Sequence, residues 1–462
     1  MIVKNGLVWN GKDFEKRNLY ILNGKFVSKE YYKGSFIDDL GPVVDATGLF
    51  VMPGYVDAHA HIIGTGMKLI TVDLEKENIS KLINKVISPN EKFIIARGWE
   101  YLPDNQELSI LNSVNKPVLL IRKCGHVAWI NDFLKRKIKS EDNLIYEEKI
   151  DNIWAHLGDN SEEFYIKAFN NGINEFLRYG VTQVHSDDLH GISYNTLLNL
   201  LKTSKIRIFE KLCTTEPWNY EFGKFNNAII GGIKLFADGS LGARTAYMFE
   251  PYIMESGVET NNSRFGVFIL PENISEIILF AVEKSLQINI HTIGDKALHE
   301  VLNLLEKHRK HNNYKNVRLI HLQFVKREDF GKLSDYYLAV QPHFYFEDRE
   351  LLKQIKYEMA YPFLEMYREG FQVAFSTDSP VSPADPKYVI ENAIKLGFSR
   401  EESIYLYTEA GSRMIDVKSG KIKEGYNADF CLYKNDPFEN NPVEVYIAGN
   451  KVFDASEVFE AH

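Results

Sequence analysis

Short apolar runs recur along the chain, and most are separated by stretches long enough to hold a helix. Eight of them, beginning near positions 54, 181, 207, 232, 288, 317, 338 and 372, read as buried strands. Strand-length apolar runs alternating with helical segments predict a parallel sheet covered on both faces, and eight of them predict a TIM-like (β/α)8 barrel of the α/β class. Two further strand-like runs, at 93–97 and 117–122, would bring the count to ten, which this class of barrel does not accommodate. Residues 65–160 are therefore predicted to form an α/β subdomain inserted after barrel strand 1. Helical spacing resumes over 163–179 and stops at Gly180, a residue suited to a C-cap.

The two ends of the chain read differently. Strand-like pieces at 2–3, 6–9 and 19–22 lead to Asn23-Gly24, a dipeptide favoured in tight hairpin turns, and 25–27 form the return strand. Strands this short bury little surface alone. The runs at 425–433 and 443–453 supply partners, so residues 1–50 with 418–462 are predicted to build a small β-sandwich domain from both termini. It would flank a barrel domain spanning 51–417.

Composition narrows the function classes. A chain of 462 residues exceeds the usual size of a single core unless it is a large barrel with additions. The formal net charge of −9 argues against a nucleic-acid partner, which calls for a basic stripe. No run approaches the ~18 apolar residues of a membrane span, so no membrane partner is expected. Met1-Ile2-Val3 is already strand-like and lacks the apolar core of a signal peptide. Cys124, Cys213 and Cys431 are odd in number and far apart, which predicts a reducing, cytoplasmic setting rather than a disulfide framework.

The polar residues that close the strands carry the chemistry. In Pro53-Gly54-Tyr55-Val56-Asp57-Ala58-His59-Ala60-His61, the two imidazoles point the same way and can grip one divalent cation. Taken alone, such a pair is more often two satisfied core histidines. Strand 4 places Lys234 in an apolar run just before Ala237-Asp238-Gly239-Ser240-Leu241-Gly242-Ala243-Arg244-Thr245, a polar loop of the kind that lines a barrel mouth. A buried lysine amine there could react with CO2 to give a carbamate able to bridge two cations. Strands 5 and 6 end in His291 and His321, strand 7 leads to His343 beyond Pro342, and strand 8 ends in Asp378. Together His59, His61, Lys234, His291, His321 and Asp378 fall at the carboxyl ends of strands, which in a barrel converge on one face. His156, His299, His308, His311 and His462 lack such placement and read as surface residues. His185 and His190 follow strand 2 and stay undecided, with a satisfied buried histidine favoured. For His126, in Cys124-Gly125-His126-Val127-Ala128-Trp129-Ile130-Asn131, a loop role and a substrate contact are equally supported.

These residues resemble the amidohydrolase superfamily, whose opening metal motif is similar to 53–61. Gly98-Trp99, Gly125-His126, Lys234 with 238–246, and His291-Thr292-Ile293-Gly294-Asp295 resemble one branch, which contains N-substituted formamide deformylases. Residues 420–429 resemble the family's return into its β-sandwich, so the resemblance covers nearly the whole chain. It implies one or two divalent ions, usually zinc. His59 and His61 would hold the first, His291 and His321 the second, N-carboxylated Lys234 would bridge, and Asp378 would serve as ligand and proton shuttle. The stretch 140–160 is shorter and more polar than in most of the branch, which leaves the shape of the insertion side of the pocket open.

The chemistry expected is metal-dependent hydrolysis of an amide-type, non-peptide C–N bond in a small molecule. A divalent ion lowers the pKa of bound water from 15.7 toward ~7, and Asp378 would take its proton and return it to the leaving amine. Arg244, His126 and His343 are the candidates for holding substrate. Asp57 is expected to orient a ligand and Asp295 its own loop. Ester, lactone or phosphotriester hydrolysis could use the same centre. A mononuclear deaminase would leave Lys234 without a role and would want a glutamate where Asp295 stands. A non-catalytic scaffold would have lost ligands, and none is missing. A homodimer stays open.

Overall fold

The computed structural model describes residues 1–34, 41–74, 82, 93–99, 104–123, 125, 127–146, 150, 153, 161–253, 264–312 and 316–458. Its centre is a sheet of eight parallel strands in chain order, each hydrogen-bonded to the next. We label them β1 (Tyr55–Ala60), β2 (Val181–Ser186), β3 (Arg207–Cys213), β4 (Ala228–Phe236), β5 (Gln287–Thr292), β6 (Val317–His321), β7 (Tyr337–Val340) and β8 (Gln372–Phe375). Every residue of β1, β2, β5 and β6 is buried, as expected of strands covered by helices outside and packed side chains within. β4 begins earlier than the apolar run suggests because the short strand Gly223–Phe225 folds back on it as an antiparallel hairpin.

No ladder joins β8 to β1 among the described residues, so the barrel is nearly closed rather than fully laddered. The seam is held by other bonds. The Asp378 amide donates to the His59 carbonyl at 3.0 Å, and the His61 amide donates to the Ser379 carbonyl at 2.8 Å. Below them, the buried Asp57 carboxylate on β1 accepts from the Thr377 hydroxyl at 2.6 Å and from the Tyr407 hydroxyl at 2.6 Å.

Both termini contribute to one hydrogen-bonded sheet of eight strands, rather than to two separate sheets. Its middle joins Phe430–Tyr433 to Phe50–Pro53 and Phe50–Pro53 to Ile2–Trp9, so the last strand before the barrel belongs to it. The Asn23-Gly24 turn connects Phe14–Leu22 to Lys25–Val27, with φ of 50° and 73° at its two residues. Both values are positive, as a two-residue type I′ hairpin requires. The sheet encloses its own apolar core, including Val8, Leu19, Val51 and Phe430.

Between β1 and β2 lies a separate mixed sheet of five strands, from Val72–Asp73 to Leu144–Tyr146. Two helices frame this insertion. Ile62–Ile70 leads out of β1, and Ser161–Arg178 leads into β2, ending before Gly180 at φ 81°. They cross backbone to backbone: a Cβ on Gly66 would lie 1.6 Å from the Ala168 carbonyl oxygen, and one on Gly172 2.1 Å from that of Ile62. Glycine is required at both positions, and the contact fixes the helix that starts immediately after His61. Among the described residues, no helix is long and apolar enough to cross a membrane.

Candidate functional site

The carboxyl ends of the barrel strands bring the predicted ligands together. The rings of His59 and His61 are 5.2 Å apart between centroids, His59 and His321 5.4 Å, and His291 and His321 4.4 Å. Asp378 Oδ1 sits 3.2 Å from His59 Nε2 and 3.4 Å from His61 Nε2. One ligating atom from each of His59, His321 and Asp378 falls within a 4.8 Å cluster, as does one from each of His59, His61 and Asp187. His321 and Asp378 reach these positions through left-handed backbone, at φ 79° and 57°. Such conformations are uncommon for non-glycine residues and cluster at functional sites.

Contacts on the far side of three rings set how each ring is turned. His61 Nδ1 is 2.9 Å from Asp187 Oδ1 and 3.4 Å from the Asp187 main-chain carbonyl, so Nε2 is the nitrogen that faces Asp378. His321 Nδ1 lies 3.0 Å from the Gln341 carbonyl oxygen, whose amide nitrogen donates to Ser376 at 2.8 Å. That contact turns the Nδ1 edge of His321 toward Gln341. His291 is turned the other way, with its Nε2 meeting the Gly239 carbonyl at 3.1 Å. Orientation of this kind is what ligating histidines need. His59 is the exception. Its Nδ1 faces Lys211 Nζ at 2.9 Å, and Lys211 is fully buried and also donates to the His185 carbonyl.

The electrostatics favour a cation at the centre. Burial alone would raise Asp378, but hydrogen bonds from His59 and His61 and the charge of His321 hold it well below the usual carboxylate range. Burial likewise opposes a charge on His61, yet the carboxylates of Asp187 and Asp378 push it up to about 10. Before any metal arrives, a proton on His61 supplies positive charge between two carboxylates, and a metal ion must displace it. His59 moves the other way, pushed well below its ordinary value by burial and then by Lys211.

Lys234 is buried, and its Nζ lies 2.5 Å from Asp187 Oδ2. Asp187 is the residue that sequence reasoning missed, although the signal was present. It stands just past β2, at the same kind of strand end that singled out Asp378. His185 and His190 now separate. His185 lies in the barrel interior, with Arg318 Nη1 2.9 Å from its Nδ1 and Gln183 Nε2 2.8 Å from its Nε2, whereas His190 lines the cavity above the ligands. His299, eight residues after His291, pairs instead with Asp329 at 2.8 Å.

A cavity of about 510 Å³ opens over the cluster, lined by His59, His61, Lys234, His291, His321 and Asp378. The insertion supplies one wall through Ile95, Arg97, Ile121 and Ile150. It is tied to the barrel by Arg122, whose Nη1 donates to the Gly242 carbonyl at 2.9 Å. Arg244, at φ 58°, directs its guanidinium to Gln354 at 3.0 Å and is not among the cavity-lining residues. His126 lies outside the described residues. Asp295 accepts from the Phe249 amide at 2.9 Å and so fixes its loop.

His343 stands behind Asp378 rather than in the cavity, with Nε2 donating to the Thr377 carbonyl at 3.2 Å. Burial holds its pKa down to about 4. An unfolded histidine titrates near ~6.5, so between the two values the unfolded chain binds the extra proton. The contribution of His343 to stability is complete above about 6.5 and is lost as pH falls toward about 4. It amounts to about 3 kcal/mol from the shift. Denaturation of the metal-free protein from pH 7.5 down to pH 4.5 should therefore cost the parent more than a His343→Gln variant, which keeps a donor for Thr377. Parallel curves would count against this.

Comparison with known proteins agrees with the geometry. YtcJ of Bacillus subtilis (strain 168) is 26% identical over 479 aligned residues, covering 87% of each chain. An uncharacterized metal-dependent hydrolase from Pyrococcus furiosus superposes with a TM-score of 0.77 at 25% identity, covering 95% of this chain and 99% of that one. A second, from Pyrococcus horikoshii OT3, gives 0.77 at 26% identity, covering 95% and 98%. The family model matching residues 42–453 spans the barrel, its insertion and five of the eight strands of the terminal sheet, and by it the chain belongs to the amidohydrolase family.

Proposed function

We propose that the chain is a metal-dependent hydrolase that cleaves an amide-type, non-peptide C–N bond in a small molecule. The observation that carries this reading is the meeting of His59, His61, His321 and Asp378 in one cavity, with ring nitrogens oriented for ligation by Asp187 and Gln341. Imidazole and carboxylate ligands suit zinc. His59, His61 and Asp378 would hold one ion and His291 and His321 a second; Lys234 would join them as a ligand only once N-carboxylated, which requires its amine to leave the ion pair with Asp187. Bound there, a divalent ion supplies Lewis acidity toward water and toward the substrate carbonyl.

The protein's own groups do the rest. Asp378 is held ionised, so it can take a proton from the attacking water and deliver it to the departing amine. The cavity falls in the ~300–1,000 Å³ range of small-molecule sites. The insertion sets Ile95, Ile121 and Ile150 beside Arg97 along one wall, a largely apolar surface with one cationic group for a small substrate. Asp295, engaged with Phe249 and absent from the cavity lining, supports hydrolysis over deamination. The branch that the motifs resemble makes N-formyl amides the first substrates to try, and Cys213 and Cys431, neither in a disulfide, support a reducing, cytoplasmic setting.

The test is elemental analysis of the purified protein followed by a screen of N-formyl, N-acyl and ester substrates with and without chelator. The expected result is amide turnover that chelation removes and zinc restores. Turnover confined to esters, lactones or phosphotriesters would replace the amide reading, and chelator-insensitive turnover would end the metal reading.

A further inference from the structure

We propose that Asp187 is a positioning residue that sets His61 and Lys234 together for the metal centre. This rests on the metal reading given above, but not on the identity of the bond cleaved.

The carboxylate spans the barrel mouth. It follows β2, yet its two oxygens reach β4 and the residue just after β1: Oδ1 lies 2.9 Å from His61 Nδ1, and Oδ2 lies 2.5 Å from Lys234 Nζ. Its own carbonyl also faces His61 Nδ1, at 3.4 Å. Asp187 is fully buried, so water does not compete for either oxygen.

The turn that carries Asp187 is fastened on three sides. The Asp188 amide donates to Glu210 on β3 at 2.7 Å. The Asp188 carboxylate accepts from the Ser186 hydroxyl at 2.5 Å and from the Ile63 amide at 2.9 Å. The Ser186 hydroxyl in turn accepts from the Ile62 amide at 3.1 Å. These bonds hold the turn against β3 and the start of the helix after His61, which leaves Asp187 directed inward.

The consequence is chemical as well as geometric. With Oδ1 beside Nδ1, the ring is turned so that Nε2 faces Asp378. Without the Asp187 side chain, only the main-chain carbonyl of residue 187 is left to hold that orientation. The same carboxylate draws the Lys234 amine to the His61 side of the cavity. One residue thereby couples a ligand that follows β1 to the Lys234 amine on β4, across the intervening β2 and β3.

The test uses the full chain stripped of metal, with zinc affinity read by competition with a chromophoric chelator. Asp187→Ala should bind zinc at least about 10-fold more weakly than the parent, and Asp187→Asn, which keeps one acceptor oxygen, should fall between them. Removing Asp187 also strands the charge of Lys234, so the Lys234→Met background separates the two roles. Asp187→Ala in that background should still bind about 10-fold more weakly than Lys234→Met alone, because His61 keeps only the longer main-chain contact of residue 187.

Equal affinities in the Lys234→Met background would reduce Asp187 to a charge partner and overturn the proposal. A parent that binds no zinc would end the metal reading itself. Zinc binding that depends on Asp187, in a protein that cleaves no amide, would leave this role standing and dismiss only the proposed bond.

Discussion

Replacing His59 and His61 together by Ala is expected to strip the purified chain of its first metal and reduce hydrolysis to background, while far-UV circular dichroism stays nearly unchanged. Both side chains aim a ring nitrogen at Asp378, 3.2 and 3.4 Å away, so the pair accounts for two of the donors around one point. The effect on rate should exceed that of replacing Asp187, which only orients one of the two rings. Lowering the pKa of water from 15.7 to ~7 corresponds to a hydroxide population roughly 10⁸-fold larger at neutral pH, and losing the ion forfeits that gain. The fold should survive because the seam at this point is held by main chain: the His59 carbonyl still accepts from Asp378, and the amide at position 61 still donates to Ser379. Elemental analysis and circular dichroism on the same preparation decide the matter. A double variant that keeps its full metal content would remove these two histidines from the ligand set.

Much of this arrangement was legible in the chain, for a physical reason. A parallel barrel buries each strand on both faces, so its strands stand out as apolar runs, and the polar residue that ends a run is conspicuous. His291, His321 and Asp378 were found in that way. The terminal hairpin was legible because Asn23-Gly24 accepts positive φ at both positions.

What escaped is charged chemistry inside the barrel. Glu210 and Lys211 are adjacent on β3 and look like an exposed pair, yet neither is exposed to solvent. Arg318 on β6 is buried as well, and donates to the Ala58 carbonyl at 2.8 Å. Whether a charge in a strand faces water or a partner depends on neighbours remote in the chain, and no local pattern records that. Asp187 escaped for a related reason, since its value lies in reaching His61 and Lys234, which are distant in sequence. Arg244 illustrates the converse: its loop reads as a rim, but a left-handed turn carries the guanidinium to Gln354.

Asp57→Ala is expected to cost more stability than any other single change to the barrel. The Asp57 carboxylate accepts from the His59 amide at 3.1 Å, the Thr377 amide at 3.2 Å, and the hydroxyls of Thr377 and Tyr407 at 2.6 Å each. It thus replaces the ladder that β8 and β1 lack. Burial pushes its pKa up to about 6 in spite of these donors, so ionising Asp57 in the folded protein is itself costly at neutral pH. Removing the carboxylate relieves that cost, about 3 kcal/mol, but leaves the His59 and Thr377 amides and the Thr377 and Tyr407 hydroxyls without their acceptor, at ~1–3 kcal/mol each. The net loss should be about 1–9 kcal/mol, against the ~5–15 kcal/mol that holds a typical domain. Asp57→Asn should lose less, because its carbonyl can serve one hydroxyl while its amide group opposes the other. Chemical denaturation midpoints of the three proteins, measured metal-free at neutral pH, provide the check. The same seam sets Asp378 against His59, so any Asp57→Ala protein that folds should also bind zinc more weakly. An Asp57→Ala midpoint within about 1 kcal/mol of the parent would mean that backbone bonds alone close the barrel.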